Sequence, residues 1–249
     1  MMETPFSLEG KTILITGAAS GIGRATAVEC SKVGAKVVLF DLNENGLKET
    51  AGIIGSDKTD IRALDLTNEE MVQDAVSKIP KLDGVVSNAG IVLSLLAKFS
   101  DKSDMEKIFN INTFSHIGLI HQIIVQKKLN KGASIVFTSS MSGVYCRLAG
   151  GSLYGATKSA ILGYAKALAI ELAPRGIRVN TVHSGMIETP LTKGTVLTTD
   201  ILEEDAKNYP LGRYGKPEEV AYAMIYLLSD ATAWMTGTQL LIDGGYSVK

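Results

Sequence analysis

"TILITGAASGIGRA" (residues 12–25) decides the fold. A short aliphatic and β-branched run leads straight into a glycine-rich turn, and the turn opens a stretch with helical spacing. An apolar run without polar alternation reads as a strand buried on both faces, as in a parallel sheet. Gly17, Gly21 and Gly23 give the spacing GxxxGxG. Small residues there let the backbone approach a pyrophosphate. The helix that follows offers free N–H groups and the positive end of its dipole. A glycine turn by itself is only a tight connection; between a first strand and a helix it predicts a dinucleotide site.

The same strand signal recurs along the chain, in "KVVLF" (36–40), "IRALD" (61–65), "GVVSN" (84–88), "SIVFTS" (134–139), "RVNTV" (178–182) and "QLLID" (239–243). Helical patterns lie between, at 22–33, 68–79, 104–129, 153–173 and 217–228. Parallel strands need crossovers, and these are normally helical. The alternation therefore predicts an α/β fold over 1–249 as a single domain. It is a doubly wound parallel sheet of about seven strands, Rossmann-type, with helices on both faces. Residues 186–212 break the pattern and read as a substrate loop or lid. Met186, Ile187, Leu191, Val196, Leu197, Ile201 and Leu202 within it favour a substrate with an apolar body.

The 249 residues are 45% hydrophobic, enough for a substantial core, and the net charge of −1 recruits neither nucleic acid nor an anionic membrane. Lys127, Lys128 and Lys131 read as a solvated helix end. Cys30 and Cys146 form no CxxC, and neither stands in metal-ligand spacing with His116, His121 or His183, so no metal is expected. No signal peptide is visible and no apolar run reaches the ~18 residues of a membrane span. A cytoplasmic protein with reduced thiols is the expectation.

The second strand ends in Asp41, where a carboxylate accepts from the adenosine ribose hydroxyls and repels a 2′-phosphate. No Arg follows in "LNEN" (42–45), so NAD is expected rather than NADP. Asp41 as a cap for the next segment is the alternative. Asp65 reads either as an acceptor for the adenine amino group or, with Thr67, as a helix start. "YGATK" (154–158) sets a phenol and an ammonium on one helix face. An unperturbed Tyr has a pKa of roughly 10 and a Lys about 10.4. A neighbouring ammonium favours phenolate and draws the Tyr toward proton transfer near neutrality.

Together these residues resemble the short-chain dehydrogenase/reductase family, in its motif order and through nearly the whole chain. "TGAASGIG" (16–23) resembles the cofactor turn and "SNAG" (87–90) the family's "NNAG", with Ser87 in place of the first Asn. "NINT" (110–113) supplies Asn112, "SSMSG" (139–143) the serine, and "YGATK" Tyr154 and Lys158. "GRYGKPEEVA" (212–221) and "TGTQLLIDGGY" (236–246) resemble its C-terminal segments. The resemblance implies catalysis by Tyr154 as acid or base, Lys158, Ser140 and Asn112, with Ser142 the alternative serine. Lys158 would lower the Tyr154 pKa and bond the nicotinamide ribose, and Asn112 would hold a water linking Lys158 to solvent. It implies cofactor contacts from Gly17, Ser20, Gly21, Ile22, Gly23, Asp41, Leu42, Asp65 and Leu66. Further contacts are implied from Asn88, Ala89, Gly90, Gly185, Ile187 and Thr189. "NTVHSG" (180–185) departs from the family by placing Ser184 where a proline is expected; His183 reads as structural.

The expected activity is hydride transfer between NAD(H) and a secondary alcohol or ketone, with a homotetramer as the assembly. Two other readings stand beside it: a 3-oxoacyl-acyl-carrier-protein reductase using NADPH, and a noncatalytic dinucleotide sensor or scaffold.

Overall fold

The computed structural model describes residues 4–145, 149–190 and 204–249. Its seven strands are β1 (Thr12–Thr16), β2 (Lys36–Asp41), β3 (Thr59–Ala63), β4 (Leu82–Ser87), β5 (Leu129–Ser140), β6 (Arg178–Ser184) and β7 (Gln239–Ile242). They form one sheet in the order β3-β2-β1-β4-β5-β6-β7, and every neighbouring pair is parallel. The helices α1 (Gly21–Lys32), α2 (Glu44–Ile54), α3 (Glu69–Ser77), α4 (Lys102–Phe109), α5 (Ser115–Val125), α6 (Ser152–Leu172) and α7 (Pro217–Leu228) supply the crossovers.

Strand periodicity explains why both faces need cover. Leu14, Val38, Phe40, Val85, Ile135 and Phe137 point into one apolar layer. Their neighbours Ile13, Ile15, Val37, Leu39, Val86 and Val136 point into the other. Each fully buried side chain of this kind contributes roughly 1.5–3 kcal/mol. The alternation that would have left a polar face is absent, so helices pack on both sides.

Strand order reverses between β1 and β4, and an open parallel sheet carries its ligand crevice there, beyond the strands' C-terminal ends. The chain leaves β1 at Gly17, with φ +67°. A Cβ on Gly17 would stand 2.9 Å from Ala89 Cα, so the loops after β1 and β4 are in contact across the reversal.

Several sequence expectations shift. β3 begins at Thr59, two residues before the predicted 61–65, which leaves Asp65 in the loop beyond its end. Helix α2 was not anticipated; Asn43 caps it, its side chain accepting from Gly46 N–H at 3.0 Å. The predicted helix 104–129 is α4, a π turn at Asn110–Phe114 and then α5, which stops at Val125. Lys128 is not simply solvated: its ammonium donates to the carbonyls of Ser77 and Ile79, at 2.9 and 2.7 Å, and so closes the end of α3. The 24-residue stretch Lys102–Val125 is also long and apolar enough, by composition, to cross a bilayer. Half of its most apolar window is buried inside the protein, as in a core helix. Cys146 and the lid residues Leu191, Val196, Leu197, Ile201 and Leu202 lie outside the described residues.

Candidate active site

A cleft of about 520 Å³ opens at the strand-order reversal. At one end it is lined by Gly17, Ser20, Gly21 and Ile22, with Asp41, Leu42, Asp65 and Leu66 beside them. Asn88, Ala89 and Gly90 line it further along, as do Tyr154, Lys158 and Ser184, while Thr189 lies against Gly21, where a Cβ would come 3.2 Å from its methyl group. The fold thus brings most of the sequence-predicted residues onto one surface.

The glycine turn fits a phosphate-bearing ligand. Ser20 is the N-cap of α1 yet makes no side-chain hydrogen bond to the helix, so the first-turn N–H groups keep their capacity for an anion. Gly23 serves packing instead of contact, because a Cβ there would lie 2.0 Å from the Gly17 carbonyl oxygen. Asp41 takes the capping role and stays at the cleft. One carboxylate oxygen accepts from Ala19 N–H at 3.0 Å and the other from Asn43 N–H at 2.9 Å, while the side chain still lines the cleft. Arg24 is the cation nearest in sequence to this turn. Its guanidinium is held by Glu49 at 2.8 Å and by Thr50 Oγ1 at 3.0 Å. Asp65 accepts from Thr67 N–H at 2.8 Å and from its hydroxyl at 2.7 Å, and Asn68 is the N-cap of α3.

Thr16, which sequence reasoning passed over, organises the middle. Its buried Oγ1 accepts from the N–H groups of Asn88 at 2.9 Å and Ala89 at 3.0 Å. Asn88 in turn accepts from the Thr138 hydroxyl at 2.9 Å and donates to Thr16 O at 3.2 Å. A Thr closing a strand just before a phosphate-type glycine turn is the signal that could have found it.

Lys158 is 4% exposed and its ammonium donates to the Thr138 carbonyl at 3.1 Å, with Nζ 5.7 Å from the Tyr154 ring centre. Burial pulls its pKa down to about 8. The Tyr154 phenol moves the other way from the sequence expectation: burial holds it above its ordinary value, and the Ser140 hydroxyl opposes that rise. Both groups sit where charge is poorly solvated, so in the ligand-free protein desolvation outweighs the neighbouring ammonium. Of the three serines, Ser140 is the one whose hydroxyl acts on the Tyr154 phenol. Ser142 offers only its backbone N–H to Ser140 Oγ, at 3.1 Å, and Ser139 turns away to donate to Lys158 O at 3.2 Å.

Asn112 is fully buried in the π turn. Its amide accepts from Ile91 N–H and donates to Ile91 O, both at 2.8 Å. The side chain is therefore spent on a backbone clamp and not on the expected water. Gly155 is small because a Cβ there would come 3.1 Å from Gly143 Cα, so α6 packs directly on the loop after β5. His183 is buried, its Nδ1 donating to Ser140 O at 2.9 Å and its Nε2 accepting from the Thr181 hydroxyl at 2.8 Å. It positions Ser140, as a structural residue. Ser184 pairs with Ser140 across β5 and β6, and its carbonyl accepts from Met141 N–H at 3.0 Å. Gly185 packs on Asp243 and Tyr209, and Ile187 lies in the core beside Gly215.

A partly buried phenol, a hydroxyl beside it and a buried ammonium near a phosphate-type turn can protonate or deprotonate an oxygen next to a bound dinucleotide. The comparisons with known proteins agree with that chemistry. The family model for enoyl-(acyl carrier protein) reductase matches residues 17–247. The 3-oxoacyl-[acyl-carrier-protein] reductase of Thermotoga maritima is 37% identical over 246 residues, covering 96% of this chain and 98% of that protein. The NAD-dependent glycerol dehydrogenase of Listeria innocua is 34% identical, covering 99% and 98%. A solved short-chain dehydrogenase/reductase of the glucose/ribitol type from Brucella melitensis superposes with a TM-score of 0.89 at 32% identity, covering 96% and 97%.

Proposed function

Because the chain belongs to the short-chain dehydrogenase/reductase family, and is thus an oxidoreductase, we propose that it moves a hydride between NAD(H) and a secondary alcohol or ketone. The observation that carries this reading is the Tyr154 phenol beside the Ser140 hydroxyl and one helical turn from buried Lys158, in a dinucleotide-sized cleft. The dinucleotide supplies or takes the hydride when bound. In the reducing direction Tyr154 gives its phenolic proton to the substrate oxygen. Ser140 donates to the same oxygen as its charge develops. Lys158 stabilises the phenolate left behind and bonds the ribose. In oxidation each proton runs back. Asn112 acts through Ile91, fixing the start of the loop beside the substrate. Gly185, Ile187 and Thr189 are assigned to the carboxamide end of the cofactor.

NAD is favoured over NADP by two charges. Asp41 offers a carboxylate where a 2′-phosphate would stand. Arg24, the cation that could answer that phosphate, is already held by Glu49 and Thr50. The 37% identity to a 3-oxoacyl-[acyl-carrier-protein] reductase favours a second reading, the same site acting on a 3-oxoacyl thioester with NADPH. A homotetramer in the cytoplasm completes the proposal; Phe114 and Val125 on and beside α5, and Trp234 after α7, are exposed apolar side chains available to such contacts.

Fluorescence titration with NADH and NADPH tests the cofactor, and turnover over alcohols, ketones and 3-oxoacyl thioesters tests the substrate. Tighter NADH binding with alcohol or ketone turnover supports the first reading. Tighter NADPH binding with thioester reduction replaces it by the second. Binding without turnover on the whole panel sinks both and leaves a sensor.

A further inference from the structure

We infer that His116 is a positioning residue for the cofactor shelf Asn88–Gly90, and that Ser87, the residue departing from the family's first Asn, is its partner in that task. The inference rests on the dinucleotide reading above, and the geometry comes from an element remote in sequence. His116 lies on α5, is 2% exposed, and touches the shelf with one ring nitrogen and Ser87, just before it, with the other. Nε2 is 2.7 Å from the Ala89 carbonyl and Nδ1 is 2.5 Å from Ser87 Oγ.

The proton positions follow from the acceptors. A carbonyl can only accept, so Nε2 carries the hydrogen and donates to Ala89 O. In a neutral ring Nδ1 is then an acceptor, and the Ser87 hydroxyl must be its donor. The ring is held in that one form, because burial and the nearby Lys158 charge push its pKa down to about 3. Ser87 thus fixes the tautomer and His116 fixes the carbonyl.

The shelf is gripped from the opposite side by Thr16, on the N–H groups of Asn88 and Ala89, and by Thr138 on the Asn88 side chain. Without His116 the half-buried Ala89 carbonyl would lose its hydrogen-bond partner on the α5 side. The next residue, Gly90, stands close to the catalytic end of the cleft: a Cβ there would be 3.1 Å from Asn112 Oδ1 and 3.7 Å from Lys158 Nζ. A rotation of the Ala89 peptide therefore carries Gly90 across the surface on which the dinucleotide lies. Ser87 and His116 are 29 residues apart. An Asn at 87 would be longer than the Ser whose hydroxyl already sits at hydrogen-bond contact with the ring, which accounts for the departure.

The test compares His116→Phe, which fills the volume without a donor, with His116→Gln, whose amide nitrogen falls where Nε2 stands. Both are made with and without Ser87→Ala. Backbone amide exchange at Ala89 and Ile91 in the ligand-free proteins reads the shelf without any cofactor, and NADH titration with steady-state kinetics reads the consequence. Loss of one such hydrogen bond corresponds to about fivefold. Expected are exchange about fivefold faster and an NADH dissociation constant about fivefold higher in His116→Phe, with kcat at saturating NADH within about twofold. His116→Gln should stay near the parent. Ser87→Ala should loosen the shelf in the parent and change nothing further in His116→Phe. Parent-like exchange and binding in His116→Phe would overturn the inference, as would losses from the two sites that simply multiply. Should His116→Phe fail to fold, His116→Gln is compared with His116→Asn, whose shorter amide cannot reach Ala89; identical behaviour of that pair overturns the inference as well. A parent protein that binds no dinucleotide defeats the oxidoreductase reading instead, and the exchange data still judge the shelf.

Discussion

Lys158 Nζ donates to the Thr138 carbonyl at 3.1 Å, which anchors a buried ammonium directly beneath the phenol of Tyr154. The placement has a stability cost with a definite sign. Its pKa falls to about 8 in the folded protein, against about 10.4 in an unfolded chain. Between those values the unfolded state binds the extra proton, so this group makes stability rise as pH climbs from 8 toward 10.4. We predict that Lys158→Met is more stable than the parent at pH 7, by up to about 3 kcal/mol, and that the margin closes by pH 10.4. Urea unfolding of both proteins over that range checks it; a margin independent of pH would refute the assignment. Turnover should fall by at least about a hundredfold in the same variant.

The acid limb has a different source. His116 is buried neutral with a pKa near 3, and burial lowers His183 as well. The unfolded chain takes up these protons below about pH 6.5 while the folded one refuses them. For His116 stability is therefore complete above pH 6.5 and declines as pH drops toward 3, by about 1.4 kcal/mol per pH unit, and His183 adds a decline of the same sign. His116→Gln should shallow that decline by one proton's worth, measured by thermal melts between pH 4 and 7 relative to the parent.

Tyr154→Phe keeps the ring and removes the proton donor. The expected result is a fall in kcat of about 10²–10⁴-fold with dinucleotide affinity nearly unchanged. Ser140→Ala should cost about 10²-fold or more, as for a lost oxyanion donor, and Ser142→Ala far less, since Ser142 contributes a backbone N–H that alanine retains. Equal losses in the two serine variants would contradict the placement of Ser140 against Tyr154.

Asp41→Ser should narrow the preference for NADH over NADPH by about tenfold, the scale of a single charge repulsion at close range. It also removes the carboxylate that accepts from Ala19 and Asn43, so some loss of NADH affinity is expected with it. Parallel titrations with the two dinucleotides give the ratio directly. An unchanged ratio would show that Asp41 serves only the turn.

Gly23→Ala places a methyl where the Gly17 carbonyl oxygen already stands, 2.0 Å away. The turn has to open before α1 can start. We expect destabilisation of about 1–3 kcal/mol or more and loss of dinucleotide binding, read by calorimetry and titration. Gly52→Ala, at a helix position with nothing within 4 Å, is the control and should be neutral or stabilising.

The sheet was legible because burial on both faces leaves unbroken apolar runs, and the glycine turn because its residue types have one geometry to serve. Boundaries were less so. The approach to β5 from Leu129 is polar, "LNKGA", and continues a helical pattern until Lys127 adopts φ +55° and turns the chain. Helix α2 was hidden by Gly46, Gly52 and three asparagine or glutamate residues that weaken its apolar stripe. Gly46 is small because a Cβ there would strike Ala19, a tertiary demand with no local trace. In the site, the four-residue spacing of Tyr154 and Lys158 could be read directly. The engagement of Asn112 with Ile91, of His116 with Ser87 and of Arg24 with Glu49 could not, since each joins side chains and backbone from separate elements. Burial also reversed the expected direction for Tyr154, a quantity that depends on depth and not on neighbours in sequence.

The π turn at Asn110–Phe114 amounts to one surplus residue in an otherwise α-helical count. A helix advances about 100° per residue, so deleting any one residue there would restore regular winding and swing everything after it through that angle. Asn112 before the turn's end and His116 after it could then no longer both reach the loop after β4. The surplus sets the phase between the clamp on Ile91 and the grip on Ala89, so the stretch from 110 to 116 should accept substitutions more readily than any change in its length.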